Sequence, residues 1–434
     1  MSSSETERLT PVPAPSGRTV APGRGPRRAR AAVDRFLDDA MTPQPGLVAP
    51  HRRELGAVLG IWAVGRVVNL VILGCWYSVS RAAGWGFGPR GVPVGDFLTF
   101  LTDWDADRYG RIARIGYPAT LPTDPSGDIL PNDWAFLPVF PMLERVLGEG
   151  TGIGWRLAGV GLSIVFSAGA TVLLFLLARA VAAPARAWMA VVLFTFAPLS
   201  FVFVLGYAES LFLLLLFGAL LLAVRRRYAG IVPLGVTAAF TRPGALALAL
   251  ALGIVFLARW YRRRTDPFPA RERAWLIAAG LSTAVAGLSW SWIADAVTGV
   301  PHAYVLTETA WWTPLIGTGA FVPLTPWFRF AGTYLGVFGV VLVLAIMVLF
   351  ARWVLSPPVR RLGLVMVAFA ASYGLYLFGV FLPQQSTFRL AMPLSPLLAD
   401  ERLAAGRRRR TWLVTGAVLL QVVAVLLLWT VGYP

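Results

Sequence analysis

Three carboxylates crowd one short stretch, Asp103, Asp105 and Asp107, with Trp104 between them and Arg108, Tyr109 and Arg111 directly after. A carboxylate can take a proton from a reacting hydroxyl, and an arginine fork can hold an anion through two parallel hydrogen bonds. One aspartate is enough to cap a helix start, so three exceed that structural need. Other charged residues stand alone in apolar surroundings. Glu209 opens a run of Leu, Phe and Ala, and Arg242 sits in Thr241-Arg242-Pro243-Gly244. Arg389 follows the polar run Pro383-Gln384-Gln385-Ser386-Thr387. A charge within a bilayer is costly, which makes such positions functional candidates. Asp295, His302, Tyr304, Glu308, Trp311 and Trp312 form an acid-and-aromatic set that suits sugar stacking and equally suits an interfacial aromatic belt. Arg329 fits a snorkelling role better than a functional one.

The elements that must position these residues are membrane helices. Of 434 residues, 57% are hydrophobic and 14% charged, against about 25% charged in an ordinary soluble domain. That balance excludes a soluble enzyme, a disordered chain and a nucleic-acid binder, despite a net charge of +17. All 39 basic residues are Arg, a usage pointing with the Ala, Gly and Pro richness to a GC-rich bacterial genome. A single cysteine, Cys75, and two histidines exclude a disulfide framework and a Cys- or His-based metal site.

Residues 1–53, rich in Arg, Pro and Ser without apolar period, read as a disordered tail. The body, 54–434, divides into about eleven transmembrane helices, with the N-terminus inside. The runs are Leu55–Ser80, Gly154–Ala180, Trp188–Leu205, Glu209–Val224, Trp275–Val297, Phe330–Ala351, Leu362–Leu382, a short Pro-interrupted Leu390–Ala405, and Trp412–Val431. Gly230–Ala258 has Arg clusters at both ends and lacks room for two full spans. It is expected to be two short helices broken at Thr241-Arg242-Pro243-Gly244. The Arg clusters at 225–227, 262–264, 360–361 and 407–410 face the cytoplasm by the positive-inside rule. Residues 82–152 reverse the sign, with nine acids and five arginines, and form a first outer loop too long for a bare connector; 298–328 form a second.

Within the first loop, a helix from about Asp105 places Tyr109, Ile112 and Ala113 on one stripe and the arginines opposite, the pattern of a helix lying in the membrane interface; Gly116 and Pro118 stop it. Asn132-Asp133-Trp134-Ala135-Phe136-Leu137-Pro138-Val139-Phe140-Pro141 follows as a rigid apolar edge. Trp104-Asp105-Ala106-Asp107-Arg108-Tyr109, Ile112-Ala113, Gly116-Tyr117 and Ala135-Phe136-Leu137-Pro138 to Pro141 together resemble the first-loop motifs of the PIG-V type mannosyltransferases. Tyr207-Ala208-Glu209-Ser210-Leu211-Phe212, Thr241-Arg242-Pro243-Gly244, and Phe388-Arg389-Leu390 with Pro393 and Pro396 are similar to later motifs of that family, in the same order. Eukaryotic members carry His at the position of Arg108. The resemblance spans roughly 55–400 and implies an all-α polytopic GT-C glycosyltransferase of a bacterial plasma membrane. Such an enzyme would move mannose, with inversion, from a polyprenyl-phosphate sugar to a lipid-linked or cell-envelope glycan acceptor on the outer face.

That chemistry needs a base on the acceptor hydroxyl and a cation near the leaving phosphate. Asp105 is the expected base and Asp103 the runner-up, with Asp107 pairing with Arg111 at i,i+4. Arg389, Arg242 and Arg108 are the expected phosphate ligands, and Trp104, Asp107, Tyr109, Phe136, Pro138, Tyr207 and Glu209 the expected lining. No cofactor is expected, because a lipid monophosphate has no pyrophosphate for a metal to chelate. Two other readings stay open: a secondary transporter with its substrate at the broken helix, and a non-catalytic assembly protein. Nine of 22 acids in one outer loop favour surface chemistry over transport. The topology is testable by labelling single cysteines in a Cys75→Ser background. Ser126→Cys should react from outside and Arg263→Cys only from inside, and outside labelling at 263 would overturn both the span count and the broken-helix reading.

Overall fold

The computed structural model describes residues 24–41, 51–89 and 91–432. Helices α1 (Arg24–Met41) and α2 (Arg52–Ala82) come first. The first loop holds a hairpin of β1 (Gly86–Phe87) and β2 (Val92–Pro93), then α3 (Phe97–Leu101), α4 (Asp105–Ile115) and α5 (Val139–Thr151). Next come α6 (Gly154–Val181), α7 (Pro184–Thr195), α8 (Glu209–Val224), α9 (Ile231–Ala239), α10 (Ala245–Tyr261) and α11 (Ala270–Thr298). The second loop holds α12 (Ala303–Ala310) and α13 (Thr313–Ile316). The chain ends with α14 (Pro326–Val354), α15 (Pro357–Arg360), α16 (Leu364–Val380), α17 (Thr387–Leu390) and α18 (Arg407–Val425).

Among the described residues, five helices are long and apolar enough to cross a membrane: α2, α6, α11, α14, and α18 with the π-helical turn that extends it to Thr430. Five further apolar helices are shorter, among them α8, which is buried on nearly every side against α6 at the centre of the bundle. A helix apolar all round belongs in such a centre.

Several expected continuous spans are interrupted, each for a local reason. The stretch Trp188–Leu205 is split, because Pro198 disfavours helix before it: α7 ends at Thr195 and a 3-10 turn covers Ser200–Val204. Leu390–Ala405 is an eight-residue 3-10 segment, Met392–Ala399, in which Pro393 and Pro396 remove two backbone donors. The break between α9 and α10 falls where the sequence places it. Gly244 there has φ +126, a region closed to most side chains. The freed carbonyl of Phe240 accepts from the Val139 N–H at 3.1 Å, so α5 of the first loop is pinned to the break.

Two expectations are corrected. The tail is not disordered throughout: α1 buries Leu37 and Ala40, Asp34 and Asp38 face Arg262, and Asp39 pairs with Arg360. Docking onto the body supplies the burial that the segment cannot provide alone. Residues 1–23 and 42–50 lie outside the described residues. Helix α4, expected to lay its apolar stripe on the membrane interface, instead buries Tyr109, Ile112 and Ala113 against protein, with Tyr109 edge-on to Phe136 and Phe140.

Two further contacts fix the interrupted segments against α2 and α6. The buried Arg66 of α2 donates to the carbonyls of Thr195 and Ser200 at 3.1 and 3.2 Å, satisfying the backbone that the α7 interruption frees. Ser163 of α6 then clasps the backbone of Tyr207, accepting from its N–H at 3.2 Å and donating to its carbonyl at 2.6 Å. Helix α4 is seated by Gly110, where an added Cβ would collide with the Trp155 ring of α6, and by Arg145, which caps the Ala113 and Arg114 carbonyls. Gly110→Ala should therefore cost about 1–3 kcal/mol by overpacking, read as a lowered unfolding temperature in detergent. Adding Trp155→Leu should recover part of the loss.

Candidate functional site

Four charged side chains from four distant parts of the chain meet in one line. The Asp105 carboxylate, on the first residue of α4, accepts from Arg389 Nη1 at 2.5 Å. Arg389 lies 3.1 Å from Glu209, and Glu209 lies 2.5 Å from Arg242. Arg389, Glu209 and Arg242 are all buried, whereas the Asp105 side chain remains 25% exposed. Exposure separates the two carboxylates: Glu209 balances charge from within, and Asp105 can reach a substrate. The Arg389 guanidinium also lies over the Tyr207 ring at 5.1 Å, and the Tyr207 hydroxyl accepts from the Asp105 N–H at 3.3 Å.

Asp105 is presented by an unusual turn. Trp104, just before it, has φ +55, a left-handed conformation that costs a non-glycine residue energy and is held here by its surroundings. Asp103 completes the turn by accepting from the Trp104 N–H at 2.7 Å and lies against Gly88, where a Cβ would strike its carboxylate. Asp103 and Asp105 thus point to different neighbours.

Asp105, Arg108, Arg242 and Arg389 all border a cavity of about 400 Å³, enclosed by Trp104, Tyr109, Phe136 and the second-loop residues Glu308, Trp311 and Trp312. Arg108 is the least committed cation on the wall. Its nearest carboxylate is Asp133 at 3.5 Å, and Asp133 is already gripped by Arg111 through Nε at 2.6 Å and through Nη2. That hydrogen bonding holds the Arg111 guanidinium above its ordinary pKa. The cavity wall itself carries three arginines, Arg108, Arg242 and Arg389, against two carboxyls, Asp105 and Glu308, with Glu209 buried behind them. The Glu308 carboxyl is pushed up to about 7 by burial.

The expected residues divide as follows. Asp105, Arg108, Arg242, Arg389, Trp104, Tyr109 and Phe136 are on the cavity wall. Tyr207 and Glu209 stand behind it, buried beneath the arginines. Pro138 is off the wall at the N-cap of α5, and Asp103 faces the hairpin. Asp107 is also off the wall, and the Arg111 expected to pair with it takes Asp133 instead, a partner from outside the helix. Arg329 is remote and bonds the Ala320 carbonyl. Asp133 and the second-loop wall were the residues that spacing alone left unassigned. Their only signal was an acid among aromatics, which interfacial belts share.

The chain matches no family model, and no curated protein or solved structure is detectably similar to it. The charge line itself is testable. Glu209→Gln leaves the buried Arg242 without its carboxylate partner and Arg389 with Asp105 alone, and breaking a buried pair in this way costs about 3–5 kcal/mol. Thermal unfolding in detergent should fall accordingly, and an unchanged midpoint would show that Glu209 carries no such burden.

Proposed function

We propose that this membrane protein is a glycosyltransferase of GT-C type. It moves a sugar, mannose by the resemblance to PIG-V type enzymes, from a polyprenyl-phosphate donor to a glycolipid or glycan acceptor. One observation carries the reading: a partly exposed carboxylate and an excess of arginine share one aromatic-walled cavity of about 400 Å³. The three arginines on the wall suit the negative charge of a phosphodiester-linked sugar, which would be expensive to desolvate without a partner. An adjoining, mostly apolar cavity of about 290 Å³ gives an amphipathic substrate a place for part of its lipid.

In this reading the phosphate binds Arg108 and engages Arg389. Arg389 then holds Asp105 less tightly, which frees its carboxylate to accept from the acceptor hydroxyl. Asp105 takes the proton from the acceptor hydroxyl as that oxygen bonds to the anomeric carbon. The bond from that carbon to the phosphate oxygen breaks with inversion, and polyprenyl phosphate departs with the electron pair, held by the arginines. No metal enters these steps. We place the reaction on the extracytoplasmic face of the plasma membrane and the N-terminus inside. Eleven crossings follow if the five short apolar helices and the 3-10 segment Met392–Ala399 traverse together with the five long helices. A transporter remains the second reading, favoured by one feature: the α9–α10 break itself lines the cavity through Thr241, Arg242 and Pro243.

Release of polyprenyl phosphate from polyprenyl-phosphate mannose, by purified protein with an envelope lipid extract as acceptor, tests the proposal. Asp105→Asn should slow turnover by about 10²–10⁴, the range for loss of a general base. Arg108→Ala should raise the donor KM roughly tenfold to a hundredfold, as loss of a charge-assisted hydrogen bond does, with kcat little changed. Arg389→Ala should depress kcat as well, because it also orients Asp105, and Arg389→Lys should fall between. Wild-type turnover in Asp105→Asn would sink the mechanism. Uptake of the donor sugar into proteoliposomes without transfer would favour the transporter.

A further inference from the structure

The second outer loop contributes a carboxyl that the transfer steps leave unused. The charged cavity and its apolar neighbour share Arg242, Pro243, Glu308, Trp312 and Phe381 on their walls, so Glu308 stands at the neck between them. Every other charged side chain on the wall of the charged cavity already faces an opposite charge. Asp105 has Arg389, Arg108 has Asp133, and Arg242 and Arg389 share Glu209. Glu308 instead has Tyr304 beside it, one turn earlier on α12, with no arginine in ion-pair contact among the described residues. A carboxyl so placed repels a phosphate and attracts hydroxyl donors. The residues beside it suit the same ligand. Trp311, one helical turn on, carries a buried indole N–H without a hydrogen-bond partner. Its ring is covered on one side by the Arg108 guanidinium at 5.3 Å, and Trp312 completes the wall. Aromatic faces against C–H groups and a carboxyl against hydroxyls are the two halves of pyranose binding.

We propose that Glu308, with Trp311 and Trp312, holds the hydroxyls of the sugar being transferred and determines which hexose the protein accepts. This rests on the transferase reading above. The charged and titratable groups facing Glu308 are Tyr304 on its own helix, Arg242 at the α9–α10 break, Asp105 on α4, and Tyr376 on α16. Burial and Asp105 raise its carboxyl pKa, and the Tyr304 hydrogen bond and Arg242 lower it, for a result of about 7. The ionised form is the stronger hydroxyl acceptor. Preference for a sugar-bearing lipid should therefore grow as pH rises through 7.

The test compares equilibrium binding of polyprenyl-phosphate mannose and of a sugar-free diester of the same single charge, polyprenyl methyl phosphate, to the purified full chain at pH 6 and pH 8. Wild type should prefer the mannosylated lipid, more so at pH 8. Glu308→Gln should lose about tenfold of that preference, the effect of one charge-assisted hydrogen bond, lose its pH dependence, and bind the sugar-free lipid at least as tightly as wild type. Trp311→Phe, which keeps the ring and removes the N–H, should lose a smaller part. If Glu308→Gln keeps the wild-type preference, or if it weakens binding of the sugar-free lipid, Glu308 does not read the sugar and the transferase assignment stands. If wild type binds neither lipid, the transferase assignment and the proposal fall together.

Discussion

The alternating line Asp105–Arg389–Glu209–Arg242 is the constraint around which the other elements are arranged. Each of these charges would cost several kcal/mol to bury alone, and none is compensated by a neighbour in its own helix. Charge balance therefore requires that the start of α4, the start of α8, the α9–α10 break and α17 meet at one point. Misplacing any one of the four would leave an uncompensated ion in an apolar bundle. Glu209 is buried within the line and Asp105 stands at its exposed end, so the same interaction that fixes the packing also presents one carboxylate to the cavity.

Keeping four segments in register demands breaks in otherwise regular helices, and each break has its freed backbone answered. Arg66 takes the Thr195 and Ser200 carbonyls where α7 stops, and the Val139 N–H takes the Phe240 carbonyl where α9 stops. Ser163 holds Tyr207 on both sides of its peptide. Unpaired backbone groups are not tolerated away from water, so these contacts are a condition for irregular chain at that depth. The Phe240 contact ties the first loop to the broken helix, so that Phe136, on the edge that leads into α5, and Arg242 border the same cavity.

The cavity combines a charged floor, aromatic walls and an apolar annex. Three arginines line it against two carboxyls, and each arginine has a carboxylate partner before any ligand arrives. An anion that draws Arg389 toward itself also loosens Asp105. In the proposed transfer, donor binding and release of Asp105 are thereby linked through one guanidinium. The second loop closes the opposite side and brings in groups, Glu308 and the Trp pair, of a kind suited to neutral polar surfaces.

Much of this was legible from residue order alone. Apolar runs of about 20 residues fix the all-helical membrane class, and Thr241-Arg242-Pro243-Gly244 between two Arg clusters foretells a broken helix, because no other arrangement fits the length. Asp105 at a helix start, and Glu209, Arg242 and Arg389 in apolar settings, stand out because a charge in such a place needs a reason. Only the tertiary structure decides which of them touch. Asp105 and Arg389 are 284 positions apart, and spacing carries no information on a pairing of that range. The same limit explains Arg111, whose in-helix partner Asp107 gives way to Asp133 from the following loop, where the geometry allows two hydrogen bonds in place of a solvated pair. It explains α4 as well: an apolar stripe records only that a helix face must be covered, and whether lipid or protein covers it is settled by the neighbours that packing supplies.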